Sequence, residues 1–177
     1  MVTIKNILLL AGTGTKSGKT SMACKLIGNF PELKITAIKI TPHFHETTAG
    51  LFRIKEGEGY SIYEETDRDS FKDTSRMLRA GAHKVYFAKV WDDHLSEVFH
   101  EIMKSIPAGT PVICESPAMR NFVEPGVFII MTSKTINKQK DISHLQILPH
   151  VMFKLEEIDK IDSLPLGFED GRWFLKA

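Results

Sequence analysis

The sequence predicts an α/β fold with a mainly parallel sheet and helices on both faces, arranged in three layers. Two observations predict it. Short apolar runs alternate with stretches of helical periodicity over most of the chain, the pattern of successive β–α–β units. The first apolar run also ends in a glycine-rich loop that opens a helix. With 177 residues, the chain suits a single domain over 1–177 that buries its own core without disulfide or metal staples.

Residues 4–11 read as a buried strand, continuous in apolar character. Residues 18–29 read as a helix whose apolar face carries Met22, Ala23, Leu26 and Ile27, with Pro31 to stop it. Residues 33–40 alternate around Ile35, Ala37, Ile38 and Ile40 and form the second strand. Residues 41–69 are polar, with Gly57-Glu58-Gly59 between the short runs 51–55 and 60–63. That stretch reads as an excursion containing a small hairpin, mobile and near the ligand. A helix is expected over 70–80, ended by Gly81, and another over 93–105. Strands are expected at 84–90, 111–115 and 126–131, with a short helix near 154–161 and a terminal strand around 173–175.

Composition narrows the function. The 23 Lys+Arg and 22 Asp+Glu leave a net charge of +1, without the basic excess of a nucleic-acid or acidic-membrane binder. The apolar run 7–11 is too short to span a bilayer and has no cleavage site after it, so a cytoplasmic location is expected. Cys24 and Cys114 lie far apart in or beside apolar stretches and read as reduced core thiols.

The chemistry concentrates in Gly12-Thr13-Gly14-Thr15-Lys16-Ser17-Gly18-Lys19-Thr20-Ser21. Glycines let a backbone wrap closely and aim successive N–H groups at one centre. The helix that follows adds free N–H donors and partial positive charge. In a P-loop, Lys19 reaches the β- and γ-phosphates and the Thr20 hydroxyl ligates magnesium. Thr13 stands where the usual motif has its first glycine, and Gly12 lies one step earlier, so the loop reads as a longer variant. The expected class is therefore a P-loop NTPase that binds a nucleoside triphosphate with Mg2+.

Gly12-Thr13-x-Thr15-x-x-Gly18-Lys19-Thr20 resembles the loop of dethiobiotin synthetases, and Lys39 followed by Pro42 is loosely similar to their Lys-Pro element. A second resemblance covers residues 5–131. The Gly18-Lys19-Thr20 loop, Lys39 with His43 and His45, and Lys72-Asp73-Thr74 leading through Arg76 and Arg79 to Ala80-Gly81-Ala82 resemble the GTP-binding adaptor of molybdopterin-guanine dinucleotide biosynthesis. These resemblances imply GTP, or ATP in the ligase type, with Lys39 at the ligand. They also imply Asp73 in the metal shell, and as partners a cofactor-biosynthesis protein and a second copy of the chain. The alternative function is ATP-dependent carboxylation or ligation, although Glu115 is followed by Ser116-Pro117 and not by the glycine-rich signature of those enzymes.

The remaining candidates have competing structural roles. Glu115 ends an apolar strand, where an acid orders a magnesium shell or a water, or is simply a solvated strand end. Asp73 is a metal-shell acid or an exposed helix acid. The catalytic set is thus Lys19, Asp73 and Glu115, and the metal set Thr20, Asp73 and Glu115. His43 and His45 line the cleft or lie exposed, with no further zinc ligand at a fitting spacing. Asn137-Lys138-Gln139-Lys140-Asp141 is one residue off a guanine-reading pattern and otherwise reads as a solvated basic loop. Arg76 and Arg79 are candidate arginine fingers for slow hydrolysis.

Overall fold

A computed structural model describes residues 1–176. β1 (Val2–Gly12) is a central strand whose Ile7, Leu9 and Ala11 face one side of the sheet and Leu8 and Leu10 the other, all buried. Burial on both faces explains its unbroken apolar run. α1 (Lys19–Asn29) turns Met22, Ala23, Leu26 and Ile27 inward, as its spacing requires. β2 (Thr36–Thr41), β3 (Leu51–Gly57), β4 (Tyr60–Glu65), α2 (Asp73–Arg79), β5 (Lys84–Val90), α3 (Leu95–Lys104), β6 (Val112–Glu115) and β7 (Val123–Thr132) follow. α4 (Ser143–Gln146), β8 (Val151–Lys154), a 3₁₀ stretch (Leu155–Ser163), β9 (Leu166–Glu169) and β10 (Arg172–Leu175) complete the order.

Among the described residues, eight strands form the main sheet in the order β3-β4-β5-β2-β6-β1-β7-β8. From β5 to β8 the strands run parallel, and β4 and β3 add an antiparallel edge. α1 and α2 pack on the face that carries Leu8, Leu10, Ala37 and Val85, while α3 covers Ile7, Leu9, Ile38 and Ala88 on the other. The three-layer α/β expectation therefore holds. The chain leaves β1 toward β2 on one side and leaves β6 toward β7 on the other, so connections diverge around these two strands. In open α/β sheets such a reversal opens a crevice at the carboxyl ends.

Several expectations need correction. The hairpin expected within 41–69 is present as β3 and β4, but it is no excursion from the fold: it joins the sheet, with Ser61 opposite Lys89 and Ile62 opposite Ala88. Ile62 and Tyr63 are buried, so the hairpin is anchored by apolar contact, and apart from its turn at 58–59 only the flanks 42–50 and 66–69 lack a strand or helix. The helix expected at 70–80 shortens to α2, and 93–105 begins as a 3₁₀ turn (Asp92–His94) before α3. β2 starts three residues later than expected, whereas β7 starts three earlier and pairs with β1 over most of its length. The C-terminal third adds β8 to the sheet edge. It also forms the β9–β10 hairpin, whose Trp173 is buried against Phe30 and Phe168 and donates its indole N–H to the Val112 carbonyl at 3.2 Å.

Candidate functional site

Residues 13–18 connect β1 to α1 at the carboxyl edge of the sheet. Gly12 ends β1, and a Cβ there would lie 2.0 Å from the Ser17 Oγ. Ser17 is fully buried, so the loop closes on itself over that missing side chain. Gly18 (φ 93) takes a left-handed conformation, and a Cβ on it would meet Leu155 at 2.7 Å. Lys16 (φ 63) adopts the same region without being glycine, a strain of order 1 kcal/mol of the kind stored at functional loops.

The loop is fixed from outside by residues 138–140. The Thr15 N–H donates to the Lys138 carbonyl (3.0 Å), and the Lys140 N–H donates to the Thr13 carbonyl (2.9 Å). Gly12 pairs with Met131 across β1 and β7, so the chains leaving both strands run side by side into this clasp. The segment 137–141, one residue off a guanine-reading pattern, thus serves the loop through its backbone. Its Asp141 carboxylate is engaged by the Ser143 hydroxyl and N–H.

Inside the loop lies a cleft of about 540 Å³, lined by Gly14, Thr15, Lys16, Ser17, Gly18, Lys19, Thr20 and Ser21. Lys39, Asp73, Glu115 and Arg76 close its far wall. α1 begins with no side-chain cap, and its first turn leaves the N–H groups of Lys19, Thr20 and Ser21 without intrahelical partners. Lys19 is half-buried. Burial pulls its ammonium pKa down, against the opposing pull of Glu115, and the net shift is downward.

The Thr20 hydroxyl donates to Glu115 Oε2 at 2.8 Å. Leu10 of β1 and Lys39 of β2 both stand opposite Glu115, which puts the carboxylate between the loop and Lys39. Lys39 Nζ lies 3.0 Å from Glu115 Oε1 and also contacts Asp73. Burial alone would lower the Lys39 pKa, but Glu115 and Asp73 outweigh it and hold the ammonium above its usual range. Burial likewise pushes Asp73 up, and Lys39 reverses the sign, leaving its carboxyl below the usual range. Asp73 sits in the first turn of α2, where the helix dipole favours an acid, with Arg76 at 3.5 Å.

The predicted set is thus brought together with two exceptions. Gly12 and Thr13 shape the loop but do not line the cleft, and Thr13 bonds to Thr132 at 3.2 Å on the far side. Glu115 is buried and paired, so it is not a solvated strand-end acid, whereas Asp73 stays partly exposed on the first turn of α2 while contacting Lys39. Arg79 points away, donating to the Arg68 and Ser70 carbonyls, whereas Arg76 bonds Ser21 at 3.2 Å within the cleft. His43 lines the cleft, and the His43 and His45 rings lie 5.7 Å apart; both residues are exposed. Among the described residues, no group of three or more His, Cys, Asp or Glu side chains converges as a metal cage. Lys140 and Leu155 carry no local sequence signal, because Lys140 is brought to the cleft by the clasp of 138–140 on 13–15 and Leu155 by the pairing of β8 with β7 just before it. Burial pushes the Cys114 thiol up, in keeping with an inert core position.

Among the described residues, no helix is long and apolar enough to cross a membrane. No family model, curated protein or solved structure matches the chain.

Proposed function

We propose that residues 12–21 form a P-loop that binds a nucleoside triphosphate with magnesium, GTP being favoured, and that the chain hydrolyses it slowly as an adaptor in molybdenum-cofactor biosynthesis. One observation carries the reading: a buried strand, a glycine-containing loop and a helix start with free first-turn N–H groups bring Lys19 and a Thr20–Glu115 contact to one cleft. Five cationic side chains line that cleft against two carboxylates, an imbalance that favours a polyanion. The choice of GTP and of the pathway rests on the sequence resemblance alone.

Magnesium suits the donors present. A hydroxyl (Thr20) beside carboxylate oxygens (Glu115, Asp73) is a hard-oxygen set, and Mg2+ typically takes one or two carboxylates plus phosphate oxygens. When bound, the ion neutralises phosphate charge. The chain's own groups do the rest. The loop N–H groups orient the phosphates, Lys19 and Arg76 offset negative charge, and Glu115 holds the Thr20 hydroxyl in place or orders a water. Arg76 is already committed to Asp73 and Ser21, which agrees with slow turnover.

Calorimetric titration of GTP, ATP and CTP with Mg2+ tests the reading. Tighter binding of GTP supports it, and a preference for ATP favours the ATP-dependent ligation alternative. Absence of binding by all three overturns it.

A further inference from the structure

We infer that Lys39 is the resident cation of a latent divalent-metal site, so that a metal enters only together with an anion that draws Lys39 off Asp73 and Glu115. For the nature of that anion, this rests on the triphosphate reading.

Three observations carry it. The Lys39 ammonium touches both carboxylates of the cleft, occupying the position between them that a bridging cation would need. Arg76, at 3.5 Å from Asp73, supplies a second positive charge. The acids are therefore already neutralised pairwise, and a metal arriving alone gains no net attraction to offset its dehydration. Yet Glu115 Oε2 holds the Thr20 hydroxyl at 2.8 Å, so hard-oxygen donors stay assembled beneath the ammonium. Lys16, Lys19 and Lys140 add cations with no carboxylate of their own in the cleft. A polyanion is thus the preferred first arrival. Its oxygens give Lys39 a new partner and leave the two carboxylates free for the metal.

The test uses the full chain and Mn2+, followed by water proton relaxation enhancement, which reports metal held on a slowly tumbling protein. Wild-type protein with Mn2+ alone is expected to give no enhancement, and inorganic triphosphate is expected to create it. Lys39→Met is expected to bind Mn2+ without any anion, at least about tenfold more tightly than wild type. Adding Glu115→Gln should remove that gain. Lys39→Arg keeps the charge and should stay closed. If circular dichroism finds Lys39→Met unfolded, Lys39→Gln replaces it, since its amide satisfies a carboxylate without neutralising it. Equal Mn2+ affinity in wild type and either neutral variant, whether both bind or neither does, overturns the inference. No enhancement with triphosphate, alongside an intact Lys39→Met gain, leaves the latent site standing and counts against the triphosphate reading.

Discussion

Glu115 is the residue on which the chemistry turns, because its buried carboxylate joins the Thr20 hydroxyl at the loop's end to the Lys39 ammonium. Glu115→Gln keeps the shape and removes the charge. Magnesium-dependent turnover should fall about 10–100-fold while triphosphate affinity changes little, since loop N–H groups hold the phosphates. Parallel losses in both, measured by single-turnover kinetics and calorimetry, would reduce Glu115 to a packing role. The motif residues were legible because each is demanded by local chemistry. The pairing of Lys39 with both acids was not, since it depends on Lys39 and Glu115 standing opposite each other in neighbouring strands 76 positions apart. Asp73 gives a pH signature. Its pKa is lower in the folded state, so it contributes stability above its unfolded value of about 3.9, and that contribution is lost as pH falls through the depressed value. Denaturation curves should accordingly flatten below about pH 4 in Asp73→Asn relative to wild type. Identical acid limbs would contradict the pairing.

At the scale of elements, the loop between β1 and α1 depends on Gly12 having no side chain. Gly12→Ala would drive a methyl into Ser17, costing about 1–3 kcal/mol and displacing the N–H groups that face the cleft. A drop in thermal midpoint together with weakened triphosphate binding is the expected pair of results; an unchanged melting curve would contradict the closure over Gly12. The hairpin and the segment before it should part company in hydrogen exchange. β4 pairs with both β3 and β5, and its Ile62 is buried, so it should be protected in every ligand state. Residues 42–50 lack regular structure and are mostly exposed, and His43 reaches the cleft. Exchange there should slow with a non-hydrolysable GTP analogue and not with GDP; equal rates in both states would rule out a γ-phosphate switch in this segment. From sequence the whole stretch read as mobile because it is polar overall with Gly57-Glu58-Gly59 at its centre, and the short apolar runs do not show that β4 pairs with β5 as a sheet edge.

Across the whole molecule, alternating strands and helices made the layered fold readable, while the C-terminal third stayed obscure. β8 and β9 are four residues each, and β8 has no alternation sharp enough to mark its buried side. What ties this region down is Trp173, buried between Phe30 and Phe168 and bonded to the carbonyl of Val112 in β6. Trp173→Ala should cost about 3–5 kcal/mol in urea unfolding, and a loss under about 1 kcal/mol would mean that the terminal hairpin is only loosely attached. The cleft lies at the opposite, carboxyl end of these strands, so ligand affinity at temperatures where the variant is folded should be preserved. The most direct test of the central claim is calorimetry with magnesium and GTP on wild type and on Lys19→Ala, whose side chain lines the cleft and belongs to neither apolar core. The expected result is saturable binding by wild type, a loss of at least about 100-fold in the variant, near 3 kcal/mol, and superimposable melting curves without ligand. Equal affinity in the two proteins would contradict a triphosphate site at this loop.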